Sequence, residues 1–78
     1  MNIQDAFLNQ ARLQKIPLTV YLASGHQIRG VLSGFDQFSL LIASDKGQNL
    51  VYKHAVSSII PSKQIDVFGG GESGDSGK

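Results

Sequence analysis

"IRGVLSGFDQFSLLI", residues 28–42, decides how the rest of the chain is read. Ile28, Gly30 and Leu32 alternate with Arg29 and Ser33, the two-residue period of a strand with one buried face. Glycines at 30 and 34 interrupt that run. Glycine inside a strand marks a bulge or a sharp bend, the device that curls a sheet into a barrel. "FSLLIAS", residues 38–44, then reads as another strand, with Asp45-Lys46-Gly47 as a hairpin turn.

The same period extends outward on both sides. Before it, Leu18, Val20 and Leu22 alternate with Thr19, Tyr21 and Ala23, and Ser24-Gly25 supplies a turn. After it, "NLVYKHA" (49–55) and "VSSII" (56–60) read as two more short strands, stopped by Pro61. Only residues 5–15, "DAFLNQARLQK", follow a helical period, with Phe7, Leu8 and Ala11 on one face. Asp5 suits the N-cap, Lys15 suits the negative end of the dipole, and Pro17 ends the helix. The expected fold is mainly β: one N-terminal helix and a five-stranded, strongly bent open barrel. It forms one domain over residues 1–66, with a flexible glycine-rich tail over 67–78.

A chain of 78 residues buries too little surface for its core to be comfortable. Small scaffolds add disulfides, a metal or a partner. With no cysteine the first route is closed, and His26 and His54 lie far apart without helpful carboxylates, so no metal is expected. Self-assembly remains, and it would also cover the strand edges an open barrel leaves. No apolar run approaches the ~18 residues of a membrane span, and no signal peptide is read at the start. The expected setting is cytoplasmic.

The formal net charge of +1 is no nucleic-acid signature by itself. Setting aside Glu72, Asp75 and Lys78 in the tail leaves six basic and four acidic residues in 1–68. A basic site must therefore come from local placement, or from copies of one residue brought together. Two tail features mislead. Gly74-Asp75-Ser76-Gly77 imitates the surroundings of a serine nucleophile, and "GESGDSGK" imitates a phosphate loop. The first lacks a positioned histidine and oxyanion hole; the second has the wrong glycine spacing and no helix after Lys78.

Tyr52-Lys53-His54 sets a phenol, an ammonium and an imidazole inside an apolar run. Read alone, it is either a core strand with its polar tips satisfied or a site. The residues by themselves favour the strand, since no paired carboxylate, nucleophile or cofactor motif accompanies them.

"IRGVLSGFDQF" followed by "YKHAVSSIIP", with "IQDAFLNQ" and "IPLTVYLASG" before them, resembles the two halves of the Sm fold motif in the bacterial Hfq family. These are RNA chaperones of the Sm/LSm superfamily. The resemblance covers residue 3 to about residue 63. It implies a homohexameric ring in which the fourth strand of one copy pairs with the fifth strand of the next. Copies of Lys53 would then converge around a pore and make a strong local anion site.

On the proximal, helix-side face the resemblance implies uridine-rich RNA. Phe38 would be the stacking platform, Gln37 and Lys53 would reach base edges, and Gln4 would read from the helix. His54 would touch backbone or ribose, with Tyr52 supporting the site across the subunit boundary. Asp36 and Gly30 match structural positions. On the distal face, which binds adenine-rich RNA, Tyr21, Gly25, Ile28 and Ser58 match stacking and small-residue positions. His26 replaces a usual apolar residue there, and Gln27 and Arg29 alter neighbouring polar positions. The Asp45–Gln48 turn is longer by a residue than in the enterobacterial type, which puts Asn49 at an adenine-reading position, with Gln48 as its substitute. The rim patch reduces to Asn9, Arg12, Lys15 and Phe35, because Leu13 interrupts the basic run.

The implied function is pairing of small regulatory RNA with messenger RNA, in post-transcriptional regulation and stress response, with no cofactor and no covalent chemistry. The alternatives are a protein-binding Sm-like ring that ignores nucleic acid, and a small hydrolase using His54, for which nucleophile and acid partner are missing.

Overall fold

The structure is a computed structural model, and residues 2–67 are described. Met1 and residues 68–78, including most of the tail and its two misleading motifs, lie outside the described residues.

Helix α1 spans Ile3–Gln14, two residues earlier than the apolar pattern implies. Asn2, not Asp5, is the N-cap: its side-chain oxygen accepts the Asp5 N–H at 2.7 Å. Asp5 instead places its carboxylate in the first turn, where the helix dipole favours it. At the other end Lys15 adopts the left-handed conformation (φ 54°), and the Ile16 N–H returns to the Ala11 carbonyl at 3.1 Å. This closure satisfies late helix carbonyls and delivers the chain to Pro17.

Five antiparallel strands follow: β1 Pro17–Leu22, β2 Gln27–Phe35, β3 Ser39–Ser44, β4 Gly47–Tyr52 and β5 Val56–Pro61. Their order across the sheet is β4-β3-β2-β1-β5. The alternation read in residues 18–22 holds, since Leu18 and Val20 are buried and Tyr21 is exposed. The register of β2 on β3 slips between Leu32 and Gly34, which is the bulge the glycines announce. A second slip, between Tyr21 and Leu22, bends β1 against β5. Gly30 serves a different purpose. A Cβ there would stand 2.5 Å from the Ala43 carbonyl oxygen and 2.7 Å from Ile42 Cγ2, so β2 and β3 approach closely only because it is absent.

Two expectations are corrected here. "NLVYKHA" is not one strand: β4 ends at Tyr52, and Lys53–Ala55 form a single 3-10 turn closed by the Val56 N–H on the Lys53 carbonyl. The β3–β4 hairpin needs only Asp45 and Lys46 outside the ladder, because Gly47 (φ 120°) already pairs with Ser44.

The core gathers Leu8 and Ala11 of α1, Leu18, Val20, Leu32, Leu40, Ile42 and Val51 of the strands, Ile16 and Ile65. Ile65 returns to it because the Ser62 N–H bonds to the Pro17 carbonyl at 2.9 Å and turns the chain back. β4 and β5, at opposite ends of the sheet, each have one hydrogen-bonded neighbour among the described residues. Leu50 (59 % exposed) and Tyr52 (53 %) stand on β4, and Ile60 (52 %) on β5. Apolar side chains on open edges are what a further strand would cover.

Candidate nucleic-acid interface

Between β2 and β3 the chain bends at Asp36–Phe38. One Asp36 carboxylate oxygen accepts the N–H of Phe38 at 2.9 Å and of Ser39 at 2.8 Å, while the Asp36 N–H bonds to the Ser39 carbonyl at 3.0 Å. An aspartate bonding forward to its own backbone replaces ladder hydrogen bonds that the bend gives up. The Phe38 N–H, the Ser39 N–H and then the Lys53 charge hold the Asp36 carboxyl below its usual pKa of 3.8. A depressed carboxylate stabilises the fold above its unfolded pKa. That contribution is therefore intact at neutral pH and is lost only as pH falls below the ordinary carboxylate range.

Phe38, held at this bend, leaves 67 % of its surface exposed. Its carbonyl accepts the Lys53 N–H at 2.8 Å, so the aromatic residue and the lysine share one backbone link. Lys53 Nζ lies 5.6 Å from the centroid of the Phe35 ring, within cation–π range. Tyr52 and His54, either side of Lys53, stack their rings on each other (centroids 5.9 Å, planes 15° apart). Gln4, exposed in the first turn of α1, lines with Lys53 a cleft of about 350 Å³ whose apolar walls include Ile3, Phe7, Leu40 and Ile59. Gln37 and Phe38 do not line that cleft. One protomer thus joins Gln4 to Lys53, and Phe38 to Lys53, without enclosing all of them in one pocket.

The second face follows from strand register, because residues opposite one another in an antiparallel ladder share a side. Tyr21 pairs with Gln27 on one flank and Ser58 on the other, and Thr19 pairs with Arg29 and Ile60. Farther across the same side, Val31 pairs with Ala43 and Ala43 with Gln48. Gln48 therefore shares the side of Tyr21 and Ser58. Asn49 is opposite Ile42, which is buried, and so points to the other side. Ile28 is likewise turned inward, opposite Val20 and packed on the core. Gly25 (φ 98°) makes the turn, and His26 lies against Ser24, Nδ1 to Oγ 3.0 Å. Arg29 is an exposed cation on this side; parity across the β1–β2 hairpin is the sequence signal that reveals it.

At the rim, Arg12 Nη2 donates to Asn9 Oδ1 at 2.7 Å, fixing a guanidinium one helical turn from its partner. Asn9 and the half-buried Phe35 line a shallow pocket together with Asp5 and Ala6. Lys15 is the left-handed cap, and Leu13 is exposed between the two basic residues.

Known proteins match this chain over nearly all its described length. A family model described as Hfq protein matches residues 3–66. The RNA-binding protein Hfq of Syntrophomonas wolfei subsp. wolfei is 52% identical over 68 residues, 87% of this chain and 83% of that protein. The RNA-binding protein Hfq of Clostridium perfringens is 50% identical over 64 residues, 82% of this chain and 80% of its own. Among solved structures, a crystal structure of the pleiotropic translational regulator Hfq superposes with a TM-score of 0.73 at 34% identity, covering 76% of this chain and 98% of that one. An Hfq protein from Anabaena sp. gives a TM-score of 0.64 at 26% identity, covering 69% and 87%.

Proposed function

This chain belongs to the Hfq family of RNA-binding proteins, and from that premise we propose that it works as a homohexameric RNA chaperone. Uridine-rich single strands bind on the helix side, and adenine-rich strands on the side of Tyr21. By holding both, the ring promotes pairing of small regulatory RNA with messenger RNA. The observation that carries this reading is Phe38: a largely exposed aromatic ring, clamped at its backbone and linked to Lys53. Core packing does not account for such a ring, whereas an unstacked base needs one.

Assembly supplies what one protomer lacks. β4 of one copy pairing with β5 of the next would extend the sheet at both open edges and bring Leu50, Tyr52 and Ile60 toward the joint. Copies of Lys53 then face one anionic strand, which raises affinity without a high net charge. Light scattering at micromolar concentration is expected to give a mass several-fold above the protomer's 8.4 kDa. A stable folded monomer at that concentration would rule the ring out.

On the Tyr21 side, base reading falls to Gln48 and not Asn49, since only Gln48 shares that side of the sheet. Gln48→Ala is expected to weaken binding of an adenine oligomer several-fold, consistent with about 1 kcal/mol for a lost edge hydrogen bond, and Asn49→Ala to leave it unchanged. Fluorescence anisotropy with labelled oligomers measures both. Loss on Asn49→Ala alone would show that β4 presents the opposite side to RNA.

A further inference from the structure

The bond network around the bend carries more than a turn. Phe38 is fixed at two backbone atoms: its N–H is held by the Asp36 carboxylate, and its carbonyl by the Lys53 N–H. The Ser39 N–H, bound to the same carboxylate oxygen, starts β3. All three links converge on residues 36–39 and 53, and none of them involves the core. Meanwhile the Lys53 ammonium rests over Phe35, the residue next to Asp36 in the chain, and not in open solvent.

Resting on the reading of Phe38 and Lys53 as RNA contacts, we infer that Asp36 is the positioning residue of that site: its carboxylate oxygen, bound to the Phe38 and Ser39 N–H groups, orients the backbone that carries the Phe38 ring. Asparagine keeps an oxygen that can accept both N–H groups but carries no charge. Alanine removes both. Phe38 on an unanchored backbone samples many orientations, so a base stacking on it must order the ring at its own cost.

The test compares Phe38→Ala, Asp36→Ala, Asp36→Asn and the double alanine variant of the full chain. Each is titrated with a uridine oligomer at several salt concentrations, with assembly checked by light scattering. Asp36→Ala is expected to lose about as much affinity as Phe38→Ala, with no further loss in the double variant, because both remove one oriented ring. Asp36→Asn is expected to bind within about two-fold of the parent, because its amide oxygen can still accept both N–H groups. Multiplicative losses in the double variant would overturn the inference, as would an Asp36→Asn variant as weak as Asp36→Ala. A Phe38→Ala variant that binds like the parent is a different outcome: it removes the site reading itself. Should Asp36→Ala fail to assemble, amide exchange in the unmodified chain decides. Protected Phe38 and Ser39 amides in the absence of RNA support the inference, and amides exchanging at unprotected rates refute it.

Discussion

Replacing Phe38 with alanine is expected to depress binding of a uridine oligomer by roughly 5- to 150-fold per engaged base, the equivalent of about 1–3 kcal/mol of lost stacking. An adenine oligomer should be spared. Tyr21→Ala is expected to do the reverse. The physical reason is placement. Phe38 belongs to the bend between β2 and β3, near Lys53, whereas Tyr21 lies near the end of β1, paired with Gln27 on one flank and Ser58 on the other. No hydrogen bond connects the two positions, so removing one ring should leave the other's partner unaffected. Competition between labelled oligomers on the two variants measures this directly. If both variants lose both ligands equally, one shared site must replace two faces.

The second large effect concerns stability. Gly30→Ala puts a methyl group 2.5 Å from a backbone oxygen of β3, which cannot swing away as a side chain can. Such overpacking costs about 1–3 kcal/mol. Alanine also stiffens the unfolded chain, a gain of about 0.4–1 kcal/mol wherever the backbone tolerates it. At Gly30 the clash wins, and the midpoint of thermal unfolding should fall by roughly 5–15 °C. Gly34 is the matched control, because a Cβ there meets nothing within 4 Å. Gly34→Ala should be neutral or slightly stabilising. Melting curves at equal protein concentration check the pair, since the proposed assembly would tie stability to concentration. Equal midpoints for the two variants would mean that β2 and β3 separate at no cost.

Sequence period was a good guide wherever one side of a strand is buried and the other wet. Leu18, Val20 and Tyr21 fall where alternation puts them, and the bulge lies between Leu32 and Gly34 as the glycines suggest. The errors arise where local hydrogen bonds outweigh period. Asn2 caps the helix although Asp5 is also a good capping residue, because the choice depends on which side chain reaches forward to a free N–H of the first turn. Lys53-His54-Ala55 reads as strand from its neighbours, yet one bond from Val56 to Lys53 closes it into a turn. Ile65 has no periodic partners at all. Its burial depends on the Ser62–Pro17 bond, which joins residues far apart in sequence. The site was legible in part. Phe38, Lys53 and Gln4 came from a family resemblance, whereas the residues alone favour a core strand for Tyr52-Lys53-His54. The difference between Gln48 and Asn49 needed register, which depends on a hairpin of two residues whose length the sequence did not reveal.

The open strands β4 and β5 lie at opposite ends of one sheet and differ from each other. Any contact in which one pairs with the other is head-to-tail, with no two-fold axis to stop it at a pair. Such a chain of copies either returns to its start or continues as a fibre, and the angle between successive copies decides which. In the proposed ring that angle would follow from the bend of the sheet, which the slips beside Leu32 and Tyr21 impose. There the curvature of a single sheet would act as a counting device, setting the number of copies without any residue dedicated to the count.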